Sequence, residues 1–257
     1  MIGVGIILGC LFYSEWSFLV LFCTIGTLSQ LEFYKLVKLD ANLPLRTYGT
    51  LCGIVVNILF FLVEKNILPT ASFYAILPLI STIFFIKLYK REDKPFANVA
   101  YTLLGISYVA VPFALLNVIA LHTGQYEPRI VLGCLLILWA SDSGAYITGK
   151  TLGKRKLFER ISPKKTWEGF LGGAIFAVVA ALIEAKYFTF LPSWQWVVIA
   201  VIIVVAGTYG DLVESQFKRS IDIKDSGSII PGHGGFLDRF DGLLLSVPFI
   251  VAFLKLV

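Results

Sequence analysis

The densest chemistry in this chain lies near its end, between Gly210 and Asp241. There Asp211, Glu214, Asp222, Asp225, Asp238 and Asp241 alternate with Lys218, Arg219, Lys224 and Arg239. Asp211 closes an apolar run, and Asp238 and Asp241, spaced i, i+3 at the start of another, can project from one helix face. Carboxylates brought together in this way repel one another unless a cation joins them. Hard oxygen ligands favour Mg²⁺, which keeps several waters and is commonly shared with substrate phosphates. Asp211, Asp238 and Asp241 are therefore the candidate metal ligands. Pro231-Gly-His233-Gly234-Gly235 supplies a turn with few side chains, where backbone N–H groups can approach an anion closely. His233 can hydrogen-bond a phosphate or a neighbouring carboxylate, and Lys218, Arg219 and Arg239 are candidate phosphate ligands, the arginines bidentately. The plain alternative for this stretch is a self-satisfied network of salt bridges.

Two smaller constellations point the same way. Ser162-Pro163-Lys164-Lys165-Thr166-Trp167-Glu168-Gly169 places two ammonium groups directly ahead of an apolar run. The positive dipole end of the helix that begins there faces the same water, a combination suited to polyphosphate. A basic loop attracted to lipid headgroups is the competing reading, and it accounts well for Lys154, Arg155 and Lys156. The other constellation, Trp139-Ala-Ser141-Asp142-Ser143-Gly144-Ala-Tyr146, puts a carboxylate among apolar residues. An ionised Asp in hydrocarbon costs roughly 2.5 to 3.5 kcal/mol on insertion scales. Asp142 is expected either to hydrogen-bond a neighbouring helix or to line a polar cavity.

These groups have to be positioned by membrane-spanning helices. Hydrophobic residues make up 57% of the 257, and charged residues 15%, with a mean hydropathy of +0.81. Soluble domains carry about one quarter charged residues, and no polar stretch here is long enough to fold as a separate soluble domain. A span needs about 20 apolar residues. That yardstick predicts helices over approximately 16–38, 47–63, 73–89, 99–121, 130–149, 169–187, 194–212 and 240–257. The apolar segment 1–13 is only roughly 18 Å long at 1.5 Å per residue and is expected to be a first helix lacking its amino-terminal end. It has neither the basic start nor the cleavage site of a signal peptide. The expected fold class is all-α, a polytopic transmembrane helical bundle of about nine helices forming a single domain over residues 1–257.

Lysines and arginines cluster after every second helix, with Lys65, Arg129, Lys186 and Lys255 the exceptions on the other side. The positive-inside rule then makes the 150–168 and 211–241 connections cytoplasmic. Trp16, Trp194 and Trp196 suit the outer interface. Pro112 reads as a kink. Cys10, Cys23, Cys52 and Cys134 stand singly in apolar runs, which suggests neither zinc nor disulfides.

In the 215–241 stretch the chain resembles the phosphatidate cytidylyltransferases, or CDP-diacylglycerol synthases. The family signature is matched in spacing by Ser215, Lys218-Arg219, Lys224-Asp225, His233-Gly234-Gly235, Asp238-Arg239 and Asp241. The Ser162-to-Thr166 and Ser141-to-Gly144 blocks and Glu32-Phe33-Tyr34 also resemble the family's. The resemblance implies a multi-pass enzyme of the inner membrane, with its active site at the cytoplasmic face, that converts CTP and phosphatidic acid to CDP-diacylglycerol and pyrophosphate. It implies Mg²⁺, with a monovalent cation as an optional companion, and a homodimer in the bilayer; no nucleic-acid partner is expected. Asp211, Lys218, Arg219, Asp238 and Asp241 would then be catalytic. Asp142, Ser162, Lys164, Lys165, Ser215, Lys224, Asp225, His233, Gly234, Gly235 and Arg239 would bind substrate.

Two competing readings are an ion-coupled transporter using Asp142, Glu184 and Asp211, and a CTP-dependent polyprenol or phytol kinase. The first lacks an inverted repeat. The second differs in its acceptor, a lipid alcohol in place of a lipid phosphate.

Overall fold

In a computed structural model, the structure describes residues 2–39, 43–223, 226 and 235–257. Among these the elements are α1 (Ile2–Tyr13), α2 (Glu15–Leu39), α3 (Arg46–Glu64), α4 (Thr70–Leu88) and α5 (Pro95–Ala120), followed by α6 (Pro128–Leu152), β1 (Lys156–Phe158), β2 (Ser162–Thr166), α7 (Trp167–Tyr187), α8 (Ser193–Ser220) and α9 (Leu237–Leu256). The seven helices α2 to α8 are long and apolar enough to cross a membrane. The sequence predicts α9 as an eighth. It forms as a helix of 20 residues but carries Asp238, Arg239, Asp241 and Lys255, which lower its apolar character. The chain is a multi-pass membrane protein, and exposed large side chains such as Leu77, Phe85, Phe96 and Ile175 are what a lipid-facing surface requires.

The chain divides into two compact units, residues 1–126 with 225–239 and residues 127–224 with 240–257. The first unit packs Phe18, Phe22, Phe33, Phe61 and Phe113 in its interior. Hydrocarbon offers no hydrogen bonds, so buried polar groups there must satisfy one another. Gln30 Nε2 donates to Tyr34 Oη at 3.0 Å and to the Gly49 carbonyl at 2.9 Å, and Tyr34 Oη donates to the Thr102 carbonyl at 2.8 Å. Asn117 Nδ2 donates to Asn57 Oδ1 at 3.2 Å. The sequence predicts a kink at Pro112. The structure shows a π-helical segment, Gly105–Ala110, just ahead of it. The missing N–H of Pro112 and the wider turn are two local irregularities of one helix.

At one end of this unit the side chains of α4 and α5 tie down the chain ahead of α3. Lys87 Nζ donates to Glu92 Oε2 at 2.5 Å and to the Leu43 carbonyl at 2.6 Å. Asn98 completes the ring, donating to Glu92 at 2.5 Å and accepting from Leu43 N at 2.6 Å.

The second unit is built on close helix contacts. Gly172 of α7 lies against Thr148 of α6, and Gly173 lies against the Ser141 carbonyl. Small residues at such crossings let backbones approach where lipid gives no hydrophobic drive. The β1–β2 hairpin bridges these helices, antiparallel, pairing Lys156 with Thr166 and Phe158 with Ser162. Glu168 accepts the Lys154 and Arg155 backbone N–H groups at 3.0 and 3.2 Å, and Thr166 caps α7 by accepting from Gly169 N at 3.1 Å. The sequence predicts a loop here and ends the next span at Leu212. The structure carries α8 on to Ser220, because nothing between Leu212 and Ser220 breaks a helix and Leu, Glu, Gln, Lys and Arg favour one. Trp196 is also not the outer anchor expected. It is fully buried, with Nε1 donating to the Phe188 carbonyl at 3.1 Å.

Burial raises the Glu92 carboxyl, but hydrogen bonds from Lys87 and Asn98 and the nearby Lys87 and Lys90 charges outweigh it and hold Glu92 below the usual carboxylate range. Its contribution to stability is full above the unfolded value near 4.3 and disappears as pH falls through the lower folded value. Glu92→Gln should lower the thermal midpoint of the detergent-solubilised protein at pH 7, with a loss of roughly 3 kcal/mol or more from stranding the Lys87 ammonium. The variant should also lose the part of the acid-side decline that Glu92 contributes.

Candidate active site

In the second unit the hairpin delivers a cation to a group of acids. Lys165 Nζ, on β2, pairs with Asp211 Oδ2 of α8 at 2.5 Å. The other oxygen of Asp211 accepts from the Ser215 hydroxyl at 3.1 Å, one helical turn further on. Asp142 of α6 and Asp241 of α9 both lie within the fields of Lys165 and Asp211, and Asp241 also feels Lys218. Lys218 Nζ is 3.1 Å from Glu214 Oε1, whose side chain is fully buried. The side chains of Asp211 and Lys165 remain 39% and 27% accessible, so this cluster is open to a ligand.

Backbone contact puts Asp241 there. A Cβ at Gly210 would stand 2.5 Å from the Asp241 carbonyl oxygen, and Gly207 and Gly242 continue the close crossing of α8 and α9. Within the unit, α6, α8, α9 and the hairpin therefore combine four carboxylates, those of Asp142, Asp211, Glu214 and Asp241, and two lysines from residues far apart in the chain.

The first unit organises the start of α9. Asp238 Oδ2 accepts the Ser226 N–H at 2.9 Å, the Ser226 hydroxyl at 2.8 Å and the Gly235 N–H at 2.9 Å. Glu32 of α2, buried at 3% exposure, accepts the Leu237 N–H at 3.0 Å through Oε2. The last of these bonds satisfies a donor that a helix start leaves unpaired. Asp238, expected as a metal ligand, thus also fixes the chain leading into α9.

Ser162 is half-buried and Lys164 exposed on β2, and Arg239 is exposed. Arg219 is exposed and donates through Nη1 to the Ile223 carbonyl at 3.0 Å, closing the end of α8. Lys224, Asp225, His233 and Gly234 lie outside the described residues. Two residues escaped the sequence reading. Glu214 becomes the i, i+4 partner of Lys218 because α8 continues past Leu212. Glu32 stood out only through the resemblance, although a lone acid in an apolar span is itself a signal.

Among the described residues, no group of three or more His, Cys, Asp and Glu side chains forms a ready-made metal position. Asp211 and Asp241 nevertheless supply hard oxygens on two adjoining helices, with the Lys165 ammonium already among them. That donor set fits a divalent ion that keeps waters and takes further ligands from phosphate.

Residues 1–257 match the family model described as Cytidylyltransferase family. The chain is similar to proteins named phosphatidate cytidylyltransferase. One, from Bacillus subtilis (strain 168), is 34% identical over 249 residues, covering 93% of this chain and 89% of the relative. Another, from Staphylococcus aureus (strain COL), is 33% identical over 216 residues, 81% of each chain. A third, from Staphylococcus saprophyticus, is 41% identical over 156 residues, which span 60% of this chain and 58% of that relative.

Gly210→Ala should force α8 and α9 apart at Asp241. We expect activity to fall at least about tenfold and the thermal midpoint to drop, since overpacking costs roughly 1 to 3 kcal/mol. Gly207→Ala should be milder, because the nearest atom to its new Cβ is the Ser246 hydroxyl, at 3.3 Å. Equal effects of the two changes would remove the crossing from the account.

Proposed function

The chain belongs to the cytidylyltransferase family, and as a membrane-embedded nucleotidyltransferase we propose that it transfers the cytidylyl group of CTP to phosphatidic acid, releasing CDP-diacylglycerol and pyrophosphate. The observation that carries this reading is the Lys165–Asp211 pair, with Asp241 and Lys218 in range. It is a mixed-charge cluster where membrane helices end, of the kind that can hold phosphates and their counter-ion. Relatives bearing the phosphatidate cytidylyltransferase name supply the choice of substrates.

In this reaction a phosphate oxygen of the lipid attacks the α-phosphorus of CTP, and the bond from that phosphorus to the bridging oxygen of the β-phosphate breaks. The nucleophile comes with the substrate, so no Ser or Cys nucleophile is needed. Catalysis then depends on alignment and charge stabilisation. Lys165 and Lys218 would bind phosphate oxygens and offset the charge gathered on the leaving pyrophosphate. Ser215 orients Asp211 through its hydroxyl. Asp211 and Asp241 would hold Mg²⁺, with Asp238 as the third ligand that the spacing of the acids predicts. When bound, this ion supplies positive charge to the nucleotide phosphates.

Solubility sets the geometry of supply. CTP reaches the site from water, which the distribution of Lys and Arg assigns to the cytoplasm, and the acyl chains stay in lipid. Asp142, Ser143 and Tyr146 are exposed along α6 and form the polar margin at which a lipid headgroup would enter from the side. A homodimer is proposed on the family resemblance.

Purified protein given labelled CTP and phosphatidic acid should form labelled lipid only with Mg²⁺. Asp211→Asn should lower turnover by about a hundredfold or more, a loss typical of removing one electrostatic contributor, and excess Mg²⁺ should recover little of it. Undiminished turnover across the Mg²⁺ titration would refute the metal role of Asp211. Lys165→Ala should chiefly raise the apparent KM for CTP. A change confined to the lipid KM would assign the lysine to phosphatidate. Label appearing only with a lipid alcohol as acceptor would make the protein a kinase.

A further inference from the structure

The hairpin that supplies Lys165 carries a second set of cations that the proposed reaction does not use. Lys154, Arg155, Lys156 and Arg160 are exposed. The geometry points to a membrane-docking surface, in which the outer face of the β1–β2 hairpin binds anionic phospholipid headgroups of the leaflet where α6 and α7 end.

Helix length locates this surface. With 25 residues α6 runs about 37 Å, and with 21 residues α7 runs about 31 Å, against a hydrocarbon core of about 30 Å. The last turns of α6 and the first of α7 therefore lie at the boundary with water, and the hairpin between them cannot move far from it. Its hold is firm. Glu168 binds the Lys154 and Arg155 N–H groups, and the Trp167 N–H donates to the Arg155 carbonyl at 2.9 Å.

Charge and apolar surface then agree on the occupant. Glu168 points its carboxylate at backbone, so Glu159 is the one acid side chain exposed between residues 153 and 166. Trp167, Phe158 and Leu152 are 49%, 43% and 63% exposed beside the cations. Aromatic and apolar groups interleaved with basic ones suit the headgroup layer better than open water. Each surface cation there gains from the negative potential of an anionic leaflet. Lys165 is turned the other way, to Asp211, so the hairpin divides its lysines between the site and the membrane. Such a surface would concentrate anionic lipid, the class to which the proposed substrate belongs, next to the site. The lipid binding itself does not depend on the reaction.

The test is limited trypsin digestion of the full-length protein in nanodiscs of phosphatidylcholine, with or without about 30% phosphatidylglycerol, an anionic content sufficient to set up a surface potential. Cuts after Lys154, Arg155, Lys156 and Arg160 are followed by mass spectrometry and referred to cuts after the exposed Lys90 and Arg91. We expect hairpin cleavage to slow about fivefold or more relative to the reference in the anionic discs, and high salt to abolish the difference by screening. Equal relative rates in the two discs would overturn the proposal. So would equal protection by inorganic phosphate in neutral discs, which would indicate a soluble anion, or protection by CTP alone, which would assign the hairpin to the nucleotide. A catalytically dead protein that still showed the lipid-dependent protection would leave this proposal standing while the proposed reaction failed.

Discussion

The ion pair between Lys165 and Asp211 is the contact on which the candidate site depends. Carboxylates on membrane helices are tolerated only where a cation or water offsets them. Here Asp142, Asp211 and Asp241 come from three helices, and the ammonium that serves them comes from a hairpin. The pair is partly accessible, and it is therefore exchangeable. On the proposed function, a phosphate would draw the lysine away and a divalent ion would take its place among the oxygens. The same arrangement would thus offer both charges to a nucleotide with its metal.

Two backbone devices make that contact possible. Gly172 and Gly173 let α7 lie close against α6, and the short hairpin joining the two helices inherits its position from that contact. Gly210 lets α9 approach α8 until the Asp241 carbonyl nearly touches it. In lipid, where burying apolar surface gains nothing, such close approach and internal hydrogen bonding supply most of the cohesion. The first unit solves the same problem with polar side chains, in the Gln30–Tyr34–Thr102 and Lys87–Glu92–Asn98 networks. Glu32 shows how such a network can serve function, because its carboxylate holds the Leu237 N–H at the start of the helix that carries Asp238.

The helical membrane architecture was legible because hydropathy over some twenty residues reflects a constraint set by the bilayer itself. Helix ends were less legible. Hydropathy faded at Leu212, whereas backbone preference carried α8 to Ser220, and that difference hid the Glu214–Lys218 pairing. The acids themselves were conspicuous in composition, and Lys165 stood out by its framing. Their partners were not legible. Nothing in the spacing says that Lys165 chooses Asp211, that Asp238 engages Ser226 and Gly235, or that Trp196 turns inward, because each depends on contacts across the fold.

The proposed binding of a divalent ion by Asp211 and Asp241 together can be measured without any turnover. Mn²⁺ titrated into the purified protein in the presence of a non-hydrolysable CTP analogue can be followed by the paramagnetic resonance signal of the free ion. Wild type should deplete that signal saturably beyond the depletion caused by the analogue alone, and the Asp211→Asn, Asp241→Asn double variant, folded by its circular dichroism, should not. Equal depletion by the two proteins would contradict it.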